Sequence, residues 1–370
     1  MHVRFEATGS LPALARELVA LDALPDVHGL LLLTCDDNGF SAETLDPLLH
    51  QLGKPVFGGI FPQIIFGREH HARGSIIVGL PVRPDVRTIR ALSEPERDID
   101  QAVAELADLR ERQGTLLVLV DGFSRRIGDL IGALFDHLGL GMNQIGGGCG
   151  SLSLIQKPCL ISNAGLLQDA ALIVHLALAS HVGVAHGWAI ISDSIKVTAA
   201  RQNTLLSLNY RPALEVYREL VMAHAGIEPG PDNFFAVAKA YPFGIYKLGS
   251  EVVVRDPISV GADGSLTCVG EVATGSFIHL LHGEPQALIA AAARAARGAD
   301  SNGETDGLRL FIDCISRVLF LEERFAEELA AVQGDAPLIG VLAIGEICNN
   351  GNDYPEFLNK TAVVGRLTAA

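Results

Sequence analysis

Short apolar runs, separated by turn residues, alternate along the chain with segments of helical periodicity. Leu30–Thr34, Thr115–Val120 and Ala170–Leu176 are apolar at almost every position, which is typical of strands buried on both faces. Asp98–Arg112 carries apolar residues three and four positions apart, as a helix lying on a sheet does. The pattern predicts an α/β fold in which helices cover the outer faces of mixed sheets.

The same patterns predict the remaining elements. Further strands are expected at Pro55–Phe66, Ser75–Val82, Gln144–Gly150, Phe234–Lys239, Glu251–Arg255, Thr267–Val272 and Phe277–Leu281, with consecutive strands throughout Leu166–Leu208. Further helices are expected at Leu11–Leu21, Arg126–Leu138, Pro212–Ala225, Pro285–Arg297 and Glu322–Val332. The segment Glu228–Asn233 is rich in Pro and Gly and is the best linker candidate. It predicts two domains, 1–227 and 228–370.

A repeat becomes visible when the two halves of the chain are aligned. Leu117–Arg125 resembles Leu308–Arg317, and Asp121 lies 192 residues before Asp313. In both halves a helix, a glycine-containing strand, a loop and an apolar strand follow in that order. The recurrence predicts two pseudo-repeated halves in an αββα-like layered arrangement. Generic helix capping by Asp and Ser is the alternative explanation of the shared turn.

Composition and charge limit the expected binding partners and the expected cellular compartment of the protein. The formal net charge is −15, so nucleic acid and anionic membranes would repel the surface, and neither is an expected partner. The six cysteines show no short regular spacing, which favours reduced thiols. The first residues lack an apolar signal core, and a cytoplasmic protein without membrane insertion is expected.

Separated motifs in the second half resemble one known domain. Cys314–Arg317 has the pattern C-x-x-R, Gly340–Ile347 has G-x-x-x-x-G-E-I, and Asn359–Val364 has N-x-T-x-V-V. In this order they resemble the C-terminal domain of the FIST family. Gly146–Gly148 and His186–Trp188 are similar to elements of the N-terminal FIST domain.

The resemblance implies a bacterial-type sensory protein that binds a small ligand and has no catalytic activity. Because the two FIST regions take up most of the chain, the sensor is expected to signal to a separate protein, such as a histidine kinase. Some FIST proteins are haem-binding nitric-oxide sensors, so haem is an alternative ligand. The sequence itself identifies no cofactor.

The ligand-site candidates come from the second half. Arg317 offers a planar fork for a carboxylate, and Glu346 follows a glycine at which a turn can expose it. An internal salt bridge between these two side chains is the alternative. Together with four further residues they are expected to bind an amino-acid-like polar metabolite; the four are Cys314, Asn349, Asn359 and Thr361.

Thiol and imidazole chemistry supply the two rival hypotheses. Cys314 and Cys149 both lie near predicted strand ends, and either could serve a cysteine-dependent enzyme if its pKa were lowered. A buried structural thiol is the alternative. His186, next to Gly187 and Trp188, is the expected axial ligand if haem binds. A hydrogen-bonded, half-buried histidine is the alternative there.

Overall fold

The computed structural model describes residues 1–230, 232–246, 252–300, 307–334, 337–349 and 354–368. Three α/β units follow one another along this chain. Each contains an edge strand, a central strand, a strand parallel to the central one, a hairpin and an antiparallel return strand. The predicted α/β class with mixed sheets is confirmed, and the repeated unit occurs three times where two halves were expected.

The first two units have the same order of strands and helices. The first unit comprises β1 (His2–Glu6), α1 (Leu11–Asp22), β2 (Gly29–Cys35), α2 (Ala42–Leu49), β3 (Val56–Phe61), β4 (Gln63–Phe66), β5 (Glu69–His71) and β6 (Ser75–Leu80). The second comprises β7 (Asp85–Arg90), α3 (Ile99–Ala104), β8 (Thr115–Asp121), α4 (Ile127–Leu138), β9 (Asn143–Cys149), β10 (Leu160–Ser162), β11 (Gly165–Leu167) and β12 (Ala170–Leu176).

The third unit carries an insertion after its edge strand β13 (Ala179–Ala185). The insertion comprises β14 (Trp188–Ile190), β15 (Ile195–Arg201), β16 (Thr204–Leu208), β17 (Arg211–Pro212), α5 (Ala213–Ala225), α6 (Phe234–Ala238), β18 (Phe243–Ile245), β19 (Val253–Val260), β20 (Leu266–Val269) and β21 (Phe277–Gly283). The unit then continues with α7 (Pro285–Ala299), β22 (Leu308–Cys314), α8 (Ile315–Leu321), α9 (Phe325–Val332), β23 (Leu338–Ala343), β24 (Glu346–Cys348), β25 (Glu356–Leu358) and β26 (Ala362–Thr368).

Each unit lends its hairpin to the sheet of another unit. The first sheet has the order β1-β6-β2-β3 and is extended by β10-β11 of the second unit. The second sheet, β7-β12-β8-β9, is extended by β24-β25 of the third unit, and the third, β13-β26-β22-β23, by β4-β5 of the first. The exchange is therefore cyclic, and each of these sheets is completed by another unit.

One glycine marks the same position in all three units. Gly58, Gly146 and Gly340 each lie on the strand parallel to a central strand. A Cβ at any of them would overlap the carbonyl oxygen of the central-strand residue opposite. Only glycine permits this close approach of two backbones, which explains the predicted glycine strands.

This common glycine position corrects the alignment of the two halves by one residue. Val118 lies opposite Gly146 and Phe311 opposite Gly340, so equivalent residues are 193 apart and Asp121 corresponds to Cys314. Because neighbouring strand residues point to opposite faces, Asp313 lies on the helix-covered face. The predicted pairing of Asp121 with Asp313 is therefore wrong, although the strand–helix–strand topology that it indicated is present.

The inner faces of the three sheets pack on one common core. Leu33 of the first sheet, Leu119 of the second and Ile312 of the third belong to the same buried cluster. The outer faces of the second and third sheets are covered by helices, which form separate clusters with them. Three sheets around one core with helices outside replace the expected αββα-like layers.

The insertion forms a closed antiparallel barrel. The ring runs β15-β16-β20-β19-β18-β21, and β21 pairs back with β15. A separate cluster of aliphatic and aromatic side chains fills the barrel. Helices α5 and α6 pack on the barrel and contribute side chains to this cluster. Because β16 precedes residue 227 and β18 follows it, the barrel takes strands from both sides of the boundary predicted at 227/228.

Three predicted elements differ from the structure in type or extent. Pro55–Phe66 is two strands, β3 and β4, which belong to different sheets. Phe234–Lys239 is the helix α6, and its buried residues Phe234, Val237 and Ala238 have helical spacing. Asp98–Arg112 is helical only at Ile99–Ala104, followed by a short 3₁₀ turn. The predicted strand start Glu251 lies outside the described residues. Among those that are described, no helix is long and apolar enough to cross a membrane.

Candidate functional site

A cavity of about 670 Å³ lies where the second unit, the third unit and the barrel meet. Gly122–Gly128, the turn after β8 with the first two residues of α4, lines one side. Cys314–Ser316, the end of β22 with the start of α8, lines another. Strands β19 and β20 supply the barrel wall. The cavity thus lies at the carboxyl ends of the central strands β8 and β22, where ligands of α/β proteins commonly bind.

Asp256 on β19 gives one end of the cavity an acceptor oxygen that is not in use. The residue is 1% exposed. Its Oδ2 accepts a hydrogen bond from Ser316 Oγ at 2.7 Å and lies 3.2 Å from Nζ of the fully buried Lys360. Its Oδ1 is buried and has no partner among the described residues. Burial raises the pKa of Asp256, although Lys360 and Ser316 act in the opposite direction. An unpaired buried carboxylate oxygen is costly, and Oδ1 belongs to a residue that lines the cavity.

Asn359 and Cys314 line the same cavity. The buried Oδ1 of Asn359 also lacks a partner in the described part of the chain. Behind Cys314 lies the fully buried Glu346, whose Oε2 accepts from the Thr361 backbone N–H at 3.1 Å. Burial raises the pKa of both Cys314 and Glu346 well above their usual values. This end of the cavity is therefore rich in acceptors.

Arg255 supplies a cation to the wall of the same cavity. Its Nε donates to the Glu271 carbonyl at 2.9 Å, and its Nη1 donates to the carbonyls of Val254 and Phe357, each at 3.0 Å. Burial lowers its pKa to about 10, so the guanidinium stays charged at neutral pH. Nη2 has no partner among the residues that the structure describes, and it is the nitrogen left for an anionic ligand group.

Arg317 is fully buried, and its guanidinium donates hydrogen bonds to acceptors inside the protein. Nε and Nη2 donate to the two carboxylate oxygens of Glu328 at 3.0 and 2.6 Å. The remaining N–H groups donate to the carbonyls of His186, Lys360 and Leu288 at 2.8–3.2 Å. These five bonds use all five donors of a guanidinium. The geometry contradicts the prediction that Arg317 binds a ligand, because no donor is left.

Of the other predicted ligand contacts, some line the cavity and some do not. Cys314 and Asn359 line the cavity, whereas Glu346, Asn349 and Thr361 do not. The ion-pair partners of Arg317 are Glu328 and Asp313, so the structure does not contain the alternative, a direct salt bridge from Arg317 to Glu346. Asn349 instead accepts from the Gln144 backbone N–H at 2.9 Å, away from the cavity. Glu346 instead accepts from the Thr361 backbone N–H at 3.1 Å, and Thr361 Oγ1 donates to the Asn359 carbonyl at 2.8 Å.

His186 does not fit the role of a haem ligand. It is absent from the cavity lining, and its Nδ1 accepts a hydrogen bond from the Trp188 backbone N–H at 2.9 Å. Burial, Arg317 and Arg294 lower its pKa to about 4. No histidine lines the cavity, and the described residues contain no cluster of His, Cys, Asp or Glu that could hold a metal ion.

The thiols are poorly suited to nucleophilic chemistry. Cys314 and Cys149 are both buried, and burial raises the pKa of each well above its usual value. Cys149 does not line the cavity. Since the thiolate is the nucleophile, neither cysteine has the lowered pKa that the cysteine-enzyme hypothesis requires.

Arg255 and Asp256 are among the cavity residues that the sequence analysis did not identify. Arg255 ended the predicted strand Glu251–Arg255 and Asp256 followed it, and neither was considered as a site residue. The available signal was an Arg-Asp pair following the apolar Val252–Val254 in a segment predicted to be a strand. Charged residues are seldom buried without a partner, so this pair could have been identified as a site candidate.

The fold and the site define a three-unit α/β protein with an inserted barrel and a cavity of small-molecule size. The FIST N domain matches residues 29–211, and the FIST C domain matches residues 213–349. Together these matches cover most of the chain, which therefore belongs to the FIST family, as predicted. The family is associated with signal transduction and with the sensing of small ligands. No curated protein matches the chain.

Proposed function

We propose that the protein is a small-ligand sensor whose ligand binds in the cavity between the barrel and the carboxyl ends of β8 and β22. The observation that carries this proposal is the pair of buried, unpartnered oxygens, Asp256 Oδ1 and Asn359 Oδ1, on residues that line the cavity. A volume of about 670 Å³ falls within the range of small-molecule sites, which are mostly apolar with a few placed polar groups.

The ligand that suits this site carries an amino-acid-like head group. An ammonium group would donate to Asp256 and Asn359, and a carboxylate would accept from Nη2 of Arg255. The head group thus matches a cation, an anion and a neutral amide on the protein. The signal passes to a separate partner, such as a histidine kinase.

Binding of amino acids tests the proposal through two variants that differ at one position. Lys360→Met keeps the Asp256 carboxylate, whereas Asp256→Asn combined with Lys360→Met removes it. Both lack the buried ammonium, so no unpaired ammonium is left, and in Lys360→Met the Asp256 carboxyl group has lost its lysine partner, which a ligand ammonium can replace. Calorimetry with a panel of amino acids should show binding to the wild type and to Lys360→Met. The double variant should bind roughly 10- to 150-fold more weakly than Lys360→Met. This factor corresponds to about 1.5–3 kcal/mol, the contribution of a charge-assisted hydrogen bond.

Two results would count against the proposal. Equal affinities of Lys360→Met and the double variant would show that Asp256 does not contact the ligand. Absence of binding by every amino acid, and of any co-purified small molecule in native mass spectrometry, would contradict a sensor of this ligand class. Circular dichroism and thermal melting of both variants control for folding.

A further inference from the structure

Three large apolar side chains that line the cavity are substantially exposed to solvent. Leu152, Leu154 and Phe235 line the cavity and are 45%, 60% and 44% exposed. They continue an apolar wall that includes Ile258 and Leu319. A row of exposed large apolar residues beside a cavity marks a binding surface.

The loop that carries two of these leucines is held in place by its own hydrogen bonds. Ser151 Oγ donates to Asp36 Oδ2 at 2.5 Å and accepts from the Ser153 backbone N–H at 3.0 Å. The backbone N–H of Leu154 donates to the Ser151 carbonyl at 3.2 Å, and Leu154 has a positive φ of 57°. A leucine in this conformation is uncommon. The loop therefore presents Leu152 and Leu154 from a preformed position.

We propose that the ligand is an amine-headed amphiphile, with an amino-acid head at Asp256 and a long apolar body running past Ile258 to Leu152 and Leu154. This inference rests on the proposed function, since it places the same head group at the same residues. A small amino acid alone would fill the acceptor-rich end and leave the apolar wall in water. An apolar body would cover that wall and contribute to affinity through its buried area.

The test is a homologous series of linear α-amino acids, from alanine through norvaline and norleucine to 2-aminooctanoic and 2-aminodecanoic acid. Calorimetry with the full-length protein should show affinity rising about two- to fourfold for each added methylene, the upper value corresponding to complete burial. Decanoic acid, which lacks the amine, should bind at least about tenfold more weakly than 2-aminodecanoic acid.

Leu154→Ser and its matched control Leu140→Ser locate the apolar body. Leu140 is also an exposed leucine, at 37%, but does not line the cavity. Leu154→Ser should weaken binding of the longest amino acids several-fold and leave alanine binding unchanged, whereas Leu140→Ser should change neither.

The outcomes separate this inference from the proposal beneath it. If all chain lengths bind with equal affinity and the Asp256 dependence holds, the amphiphile inference is overturned and the amino-acid sensor stands. If decanoic acid binds as tightly as 2-aminodecanoic acid, the amine head is not recognised and the inference is again overturned. If no member of the series binds while another amino acid of the panel does, the amphiphile inference is overturned and the amino-acid sensor stands. If no amino acid binds at all, both fail.

Discussion

Replacing Arg317 by lysine should destabilise the protein without changing ligand affinity. The guanidinium donates five hydrogen bonds inside the protein, two to Glu328 and three to backbone carbonyls. A lysine ammonium has three donors and lacks the planar fork, so at least two acceptors would lose their partner. Each buried acceptor left unpaired costs about 1–3 kcal/mol, which gives a loss of roughly 2–6 kcal/mol for two of them.

The expected change in melting temperature follows from the size of the chain. For 370 residues, an unfolding entropy of about 2.1 cal/mol/K per residue converts 1 kcal/mol into roughly 1.3 °C. Arg317→Lys should therefore lower Tm by roughly 3–8 °C in a thermal melt. Arg324→Lys is the matched control, because Arg324 is exposed and pairs with Glu327 on the surface. Its Tm should change by about 1 °C or less.

The opposite pattern would refute the structural role of Arg317. If Arg317→Lys kept the wild-type Tm while calorimetry showed a tenfold or larger loss of amino-acid affinity, the arginine would be a ligand contact. The buried network around its guanidinium would then not explain its presence.

Three further predictions concern other parts of the molecule. His186, with its pKa lowered to about 4 by burial and neighbouring arginines, takes up a proton more readily when unfolded, so stability is lost as pH falls from about 6.5 towards 4. The loss in the free energy of unfolding is up to about 3 kcal/mol. In denaturant titrations, the pH dependence of this free energy should differ between wild type and His186→Asn only between about pH 6.5 and 4. Gly146→Ala should cost at least about 1–3 kcal/mol, because the new Cβ would overlap the Val118 carbonyl; Gly132→Ala, in open space on α4, should be neutral or slightly stabilising, and equal effects of the two would disprove the close approach. Native Cys314, whose pKa is raised by burial, should react with iodoacetamide at pH 7.5 at least about tenfold more slowly than in urea, as peptide mapping would show; fast labelling of this one thiol would reopen the cysteine-enzyme hypothesis.

The central strands were predictable because each is a continuous apolar run between turn residues. Thr115–Asp121 and Ala170–Leu176 lie within one residue of the predicted bounds. Length and apolarity alone do not separate a short buried helix from a strand, which is why Phe234–Lys239 was assigned the wrong type. The exchange of hairpins was not predictable, since Pro55–Phe66 gives no local signal that its two parts join different sheets.

The predicted site residues and the lining of the cavity share Cys314 and Asn359 but not their charged groups. Cys314 and Asn359 lie at the carboxyl end of the sheet, as expected, and both line the cavity. Arg317 was assigned to the ligand because the sequence does not show that Glu328, eleven residues later, meets its guanidinium. Arg255 and Asp256 reach the cavity only because the barrel lies over the ends of β8 and β22, a tertiary relation with no local pattern.

The cyclic exchange of hairpins also determines when the chain can finish folding during synthesis. Strand β4 is made early, yet its partner is β23, with Ile65 opposite Gly340. Until the third unit leaves the ribosome, the first unit presents unpaired strand edges, and exposed edges of this kind favour aggregation. Pairing over so long a stretch of sequence is also slow. The early units would therefore need protection from aggregation, for example by a chaperone, until the third unit is made and the ring of three sheets closes.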